Sequence, residues 1–143
     1  MAQASRKSAT SVVTPTRPLL MRQVMTPAPH SIGKDQPLAV AHELMKKYAL
    51  RHLPVLEHGK LVGILTERDL LSLEAMVVLD PDGETVEDGM TQDVHTVAPD
   101  DRVKEVISDM AANKHGSAVI VEHGKVVGIF TVTDALELLA KRL

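Results

Sequence analysis

The stretch Glu57-His58-Gly59-Lys60-Leu61-Val62-Gly63-Ile64-Leu65-Thr66-Glu67-Arg68-Asp69 returns 65 residues later as Glu122-His123-Gly124-Lys125-Val126-Val127-Gly128-Ile129-Phe130-Thr131-Val132-Thr133-Asp134, with nine of 13 positions unchanged. Carrying the same offset outward lays residues 25–73 on 90–138 without a gap, and 16 of those 49 positions are identical. Unrelated sequences match at roughly one position in fifteen, so the chain holds two copies of one unit.

Inside the quoted stretch two apolar runs flank a His-Gly pair. This predicts a hairpin in each copy, with strands over 53–57 and 60–65 and over 118–122 and 125–130, the glycine supplying the positive φ of a two-residue turn. Further out, a Met-Thr pair opens each copy, followed by a short extended piece at Ser31-Ile32 or Thr96-Val97. Asp35 with Pro37 behind it, and Asp100 in the second copy, mark the start of a helix. Leu38, Ala41, Leu44, Met45 and Tyr48, and Val103, Val106, Ile107 and Met110, recur at helical spacing and give each helix one buried stripe. A second helix, over 67–78 and 132–142, closes each copy.

The expected fold is α+β, two β-α-β-β-α units packed sheet to sheet about a pseudo-two-fold axis, because one unit cannot cover its own sheet and helix stripes. Residues 1–17 read as a disordered basic leader, 18–80 as the first repeat and 81–143 as the second, joined through the turn-rich Asp80-Pro81-Asp82-Gly83. Gly63 and Gly128 interrupt strands, which predicts a bulge, a close approach by another group, or relief of crowding where the sheets meet.

Composition narrows the function classes. The 143 residues include no Cys and no Trp, one Tyr (Tyr48) and one Phe (Phe130). That excludes disulfides, thiolate nucleophiles and zinc-thiolate sites, and points to the cytoplasm. It also argues against base stacking on aromatic rings, as single-strand nucleic-acid binders use. No apolar run has the length of a membrane span or a signal peptide. Net charge is −3, divided between +5 over residues 1–34 and −8 over 35–143. An acidic body does not suit nucleic acid, although the basic leader leaves a tether to an anionic polymer or membrane as an alternative.

The duplicated unit, with its Met-Thr start and its Gly-x-x-Thr-x-x-Asp end at Gly63-Thr66-Asp69 and Gly128-Thr131-Asp134, resembles the cystathionine-β-synthase (CBS) domain. Over residues 18–143 the chain is similar to a tandem CBS pair, a Bateman module. The resemblance implies a cleft between repeats that binds an adenosine-containing ligand such as AMP, ADP, ATP or S-adenosylmethionine. It further implies composite sites, in which the Thr and Asp ending one repeat meet the strand starts of the other.

Thr-x-x-Asp falls where a strand enters a helix N-terminus. There a carboxylate is placed to accept both ribose hydroxyls, and hydroxyl and backbone N–H groups to meet phosphate; equally, the pair serves as a plain helix cap. Crossing the repeats as the resemblance implies, site A combines Ser31, Ile32, Arg51, His52 and Leu53 with Thr131, Thr133 and Asp134. Site B combines Thr96, Val97, Ser117 and Ala118 with Thr66, Arg68 and Asp69. Arg51-His52 is a basic pair suited to phosphate where the second copy has Gly116-Ser117, so site A is expected to be the stronger. Ile32 and Leu53, with Val97 and Ala118 opposite, are expected either to sandwich the purine or to be ordinary core.

No metal site is expected. His58 and His123 sit in turns, His30 and His95 precede the first strands, His42 and His115 read as surface, and no histidine pair has ligand spacing. No nucleophile or phosphate-loop motif is present, and Asp69 and Asp134 are too far apart in the pseudo-symmetry to share one bond, so catalysis is not expected. The reading is a stand-alone regulatory module for an adenine nucleotide, homodimeric through its helices and acting on a protein partner. A ligand-free dimerisation or docking scaffold and an S-adenosylmethionine sensor are the alternatives.

Overall fold

The computed structural model describes residues 17–76 and 83–143. The chain runs α1 (Met21–Val24), β1 (Thr26–Pro27), β2 (Ile32–Gly33), α2 (Leu38–Tyr48), β3 (His52–Glu57), β4 (Lys60–Thr66) and α3 (Glu67–Met76). It then repeats with α4 (Val86–Gly89), β5 (Thr96–Val97), α5 (Val103–Asn113), β6 (Ser117–Glu122), β7 (Lys125–Thr131) and α6 (Val132–Arg142). This is an α+β fold that contains β-α-β-β-α twice, as the periodicity predicts, with a short leading helix before each copy and an extra strand, β1, that it does not predict. Residues 1–16 of the expected leader, 77–78 of the expected helix and 80–82 of the expected link lie outside the described residues.

Both hairpins form as read, and the turn asks more of the sequence than a glycine. His58 and Gly59 have φ of 51° and 78°, and His123 and Gly124 of 54° and 77°. Two successive left-handed residues make the turn whose twist matches that of the strands, and histidine enters this region more readily than a β-branched side chain.

The helix starts differ from expectation. Neither Asp35 nor Asp100 caps: α2 begins after Pro37 and α5 after Arg102, and neither residue gives a side-chain cap. The first helical N–H is met instead by a backbone carbonyl, Leu38 donating to Glu84 at 3.0 Å and Val103 to Leu19 at 2.9 Å. Those acceptors belong to the segments that lead into the opposite repeat.

This exchange organises the interior. Val86 of α4 is fully buried in a core with Ile32, Ala41, Met45, Leu53, Val55 and Leu65, while Met21 of α1 is fully buried with Val103, Val106, Met110, Ala118, Ile120 and Phe130. Each packed half therefore borrows the other repeat's leading segment. β1 accordingly pairs with β7, giving one sheet of order β1-β7-β6-β5 beside the other of order β2-β3-β4; Thr91 makes the equivalent bridge to Ile64. The halves meet through Ile64, Val119 and Ile129.

Gly63 and Gly128 lie under the exchanged segments. A Cβ on Gly63 would stand 2.5 Å from Met90 Sδ and 3.0 Å from the Thr91 carbonyl oxygen, and one on Gly128 would stand 2.8 Å from Met25 Cγ. The ladder register also shifts beside each, between Val55 and Leu56 and between Ile120 and Val121. The glycines thus serve both a bulge and a close approach.

Charge pairs tie the exchanged helices down with opposite polarity. Lys34 Nζ reaches Glu57 at 2.7 Å and Glu87 of α4 at 3.3 Å, whereas Arg22 of α1 reaches Asp100 at 2.7 Å and Glu122 at 3.8 Å. Glu57 and Glu122 are repeat equivalents, as are Arg22 and Glu87. Uncrossed helices would set Glu87 against Asp100 and Glu122.

Candidate functional site

Each terminal helix starts on a reciprocal cap. The Asp69 N–H donates to Thr66 Oγ1 at 3.1 Å and the Thr66 N–H to Asp69 Oδ2 at 3.0 Å. The corresponding distances are 3.2 Å from Asp134 to Thr131 and 2.8 Å from Thr131 to Asp134. The capping role of Thr-x-x-Asp is therefore realised twice. It uses Oδ2 alone; Oδ1 of each half-buried carboxylate carries no hydrogen bond among the described residues and is available to a hydroxyl donor.

The segments before β3 and β6 are held against these caps. The Glu67 N–H donates to the Arg51 carbonyl at 2.9 Å, and the Val132 N–H to the Gly116 carbonyl at 3.1 Å. His52 opens β3 opposite Thr66 and reaches across the repeats, with Nε2 3.6 Å from where a Cβ on Gly116 would stand. Its pKa is pushed below the usual 6.5 by burial and then by Arg51, against the pull of Asp134 and Asp69. One imidazole thus lies within electrostatic reach of both Thr-x-x-Asp carboxylates.

A cavity of about 580 Å³ opens here, lined by Arg51, His52, Thr66, Glu67, Arg68, Leu71 and Ser72. It joins Arg51 and His52 of expected site A to Thr66 and Arg68 of expected site B, because β3 and β4 are antiparallel neighbours. Arg51 is 75% exposed, its guanidinium 3.9 Å from Glu67. Ser31 just before β2, Thr96 at the start of β5 and Thr133 in the first turn of α6 are exposed, and Ser117 is half-buried. Ile32 and Leu53 lie in the first core, Ala118 in the second, with Val97 packed against it. Their side chains are committed to packing, the second of the two expectations for them.

Sequence spacing missed a second constellation. His95 Nε2 lies 3.0 Å from Asp109 Oδ2, and the rings of His95 and His115 stack with centroids 4.3 Å apart. His115 is half-buried, not a surface residue as expected. The three residues come from the loop before β5, from α5 and from the turn after it, so no pattern along one helix could reveal them. At the equivalent place in the first repeat His30 stacks on Tyr48, centroids 4.0 Å apart.

α3 and α6 leave apolar side chains in solvent: Leu71, at the edge of the cavity, is 58% exposed, Leu136 60% and Leu139 53%. No helix among the described residues is long and apolar enough to cross a membrane.

The CBS domain family matches residues 21–76 and again 83–141. The chain belongs to the CBS domain family. This CBS pair is 32% identical over 117 residues to the L-aspartate semialdehyde sulfurtransferase of Methanocaldococcus jannaschii, covering 80% of the chain but 22% of that enzyme. It superposes on the CBS domain pair of protein MJ0100, solved in complex with 5′-methylthioadenosine and S-adenosyl-L-methionine, with TM-score 0.77 and 27% identity over 88% of this chain and 99% of that one. An uncharacterized conserved protein from Pyrococcus horikoshii gives TM-score 0.77 at 29% identity, covering 90% and 97%. The described residues of this CBS pair are accounted for by two CBS repeats and the segments that lead into them.

Proposed function

We propose that this CBS pair is a cytoplasmic regulatory module that binds an adenine nucleotide in the cleft between its repeats and passes the occupancy to a protein partner. One observation carries the reading: His52 of the first repeat faces Gly116 of the second, within charge reach of Asp134 and Asp69; beside it lies a cavity of about 580 Å³, lined by first-repeat residues and of the size that small ligands use. In site A the unused oxygen of Asp134 accepts ribose hydroxyls, while Arg51 and His52 meet phosphate, aided by Thr131 and Thr133. Site B, with Asp69, Thr66 and the lone cation Arg68, suits a less anionic adenosine ligand. The MJ0100 pair, holding methylthioadenosine and S-adenosylmethionine, supports that class. A second copy of the chain covers the apolar face of α3 and α6, making the module a homodimer.

Calorimetry on the full chain with AMP, ADP, ATP and S-adenosylmethionine tests this. At least one phosphate ligand is expected to bind, and Asp134→Ala to weaken it about tenfold or more, the scale of a hydrogen bond to a charged group. No heat from any of the four at millimolar concentration overturns the reading and leaves a ligand-free scaffold. Sedimentation of a Leu136→Glu, Leu139→Glu protein tests the dimer, which is expected to dissociate.

A further inference from the structure

We propose that His95, Asp109 and His115 form a binding site for a divalent transition-metal ion of the zinc class. Each offers one donor atom, and the three donors lie within 4.8 Å of one another. In a tetrahedral zinc site, bonds of about 2.0–2.2 Å set ligand atoms roughly 3.3 Å apart. The His95 Nε2 to Asp109 Oδ2 separation of 3.0 Å is already close to that, so an ion fits between these two atoms with little movement, while the His115 ring, stacked on His95, turns to bring a nitrogen to it. Asp109 is 53% exposed, and its other oxygen, Oδ1, accepts from Asn113 Nδ2 at 2.8 Å.

The His95 ring is not locked by a closed hydrogen-bond network: its Nδ1 is buried without a partner, although buried polar atoms are ordinarily paired, which leaves the imidazole free to present either nitrogen to an ion. His115 is brought to the cluster by a left-handed residue, Lys114 at φ 57°, that ends α5, with the His115 N–H bonded to the Met110 carbonyl at 3.0 Å. It also lines a cavity of about 340 Å³ between α5 and α6. Two imidazoles and one carboxylate select zinc, cobalt or nickel over magnesium and calcium, which prefer oxygen donors. A fourth position remains for water.

The trio is confined to the second repeat. Its equivalents in the first are His30, Leu44 and Leu50, and the latter two pack against the first core. An ion there clamps the loop before β5 to the turn before β6.

Calorimetric titration of the full chain with Zn²⁺ in the absence of nucleotide decides the matter, with Mg²⁺ as the contrasting ion. One Zn²⁺ per chain is expected, much tighter than Mg²⁺, with affinity falling about tenfold or more in both Asp109→Asn and His115→Ala and unchanged in His123→Ala. The His95 and His115 ring resonances should shift at the first equivalent. Equal Zn²⁺ affinity in the parent and both variants, or no preference over Mg²⁺, overturns the site. Asp109→Asn preserves shape and carries the test if His115→Ala does not fold.

Discussion

Arg51 and His52 stand before the second strand of the first repeat where Gly116 and Ser117 stand in the second, while His95, Asp109 and His115 of the second repeat replace His30, Leu44 and Leu50 of the first. Around these differences the backbone barely changes. The hairpin turns agree within 3° in φ at each position, the caps use the same two reciprocal hydrogen bonds, and both inner glycines lie under a methionine from the crossed segment. Duplication has kept the turns, caps and close approaches that shape the unit, while side chains differ in the core, as at Leu65 and Phe130, and also where they face a cleft or a loop. Pseudo-symmetry is therefore a property of the backbone, and function is to be sought where exposed chemistry departs from it.

The two cores offer the sharpest way to break that comparison. Phe130 and its equivalent Leu65 are both essentially inaccessible, at 1% and 0% exposure. Phe130→Ala is expected to cost about 3–5 kcal/mol and Leu65→Ala about 2–5 kcal/mol, measured by denaturant unfolding. Because each half holds the other's leading helix, both variants should unfold the pair in one transition. Two separate transitions would mean that the halves are independent.

A smaller effect separates scaffold from chemistry. Asp69 and Asp134 hold the same N3 place in their capping boxes, so alanine at either is expected to lower stability by a similar amount, about 0.3–1 kcal/mol. Binding should not follow that symmetry: a phosphate ligand loses affinity strongly in Asp134→Ala and little in Asp69→Ala. Equal losses of affinity would show that the basic pair before β3 does not distinguish the two sites.

How much of this was legible follows from which interactions are local. The hairpins, the helix stripes and the Thr-x-x-Asp caps are written within a few residues, so offset and periodicity reveal them. The crossing of α1 and α4 is not, because Met25 and Met90 sit in register with their own repeats and only packing on Gly128 and Gly63 shows where they go. The same crossing displaced the expected caps: a carbonyl from Glu84 or Leu19 does the work assigned to Asp35 and Asp100, and Asp100 instead meets Arg22. Of the site, Arg51, His52, Thr66 and Arg68 were legible as chemistry and share one cavity. Ile32, Leu53 and Ala118 were not separable from core, since a strand covered by a helix reads the same in either role. His95, Asp109 and His115 meet only in three dimensions.

The mildest test concerns His52, which the second repeat replaces with Ser117. Burial and Arg51 lower the folded-state pKa of His52 below 6.5, so just under that pH the unfolded chain takes up a proton that the folded chain refuses. Stability attributable to this group is fully present above pH 6.5 and is lost as pH falls below it toward the folded pKa. His52→Gln is expected to flatten the pH dependence of the unfolding midpoint in this window, whereas Ser117→Ala leaves its shape unaltered. A phosphate seated beside Arg51 and His52 adds negative charge and raises the same pKa. Binding near pH 6 should then draw a proton from the buffer, read as a heat that varies with buffer ionisation enthalpy and disappears in His52→Gln. A buffer-independent heat in the parent protein would place the anion away from His52 and remove the chemical distinction between the repeats at that position.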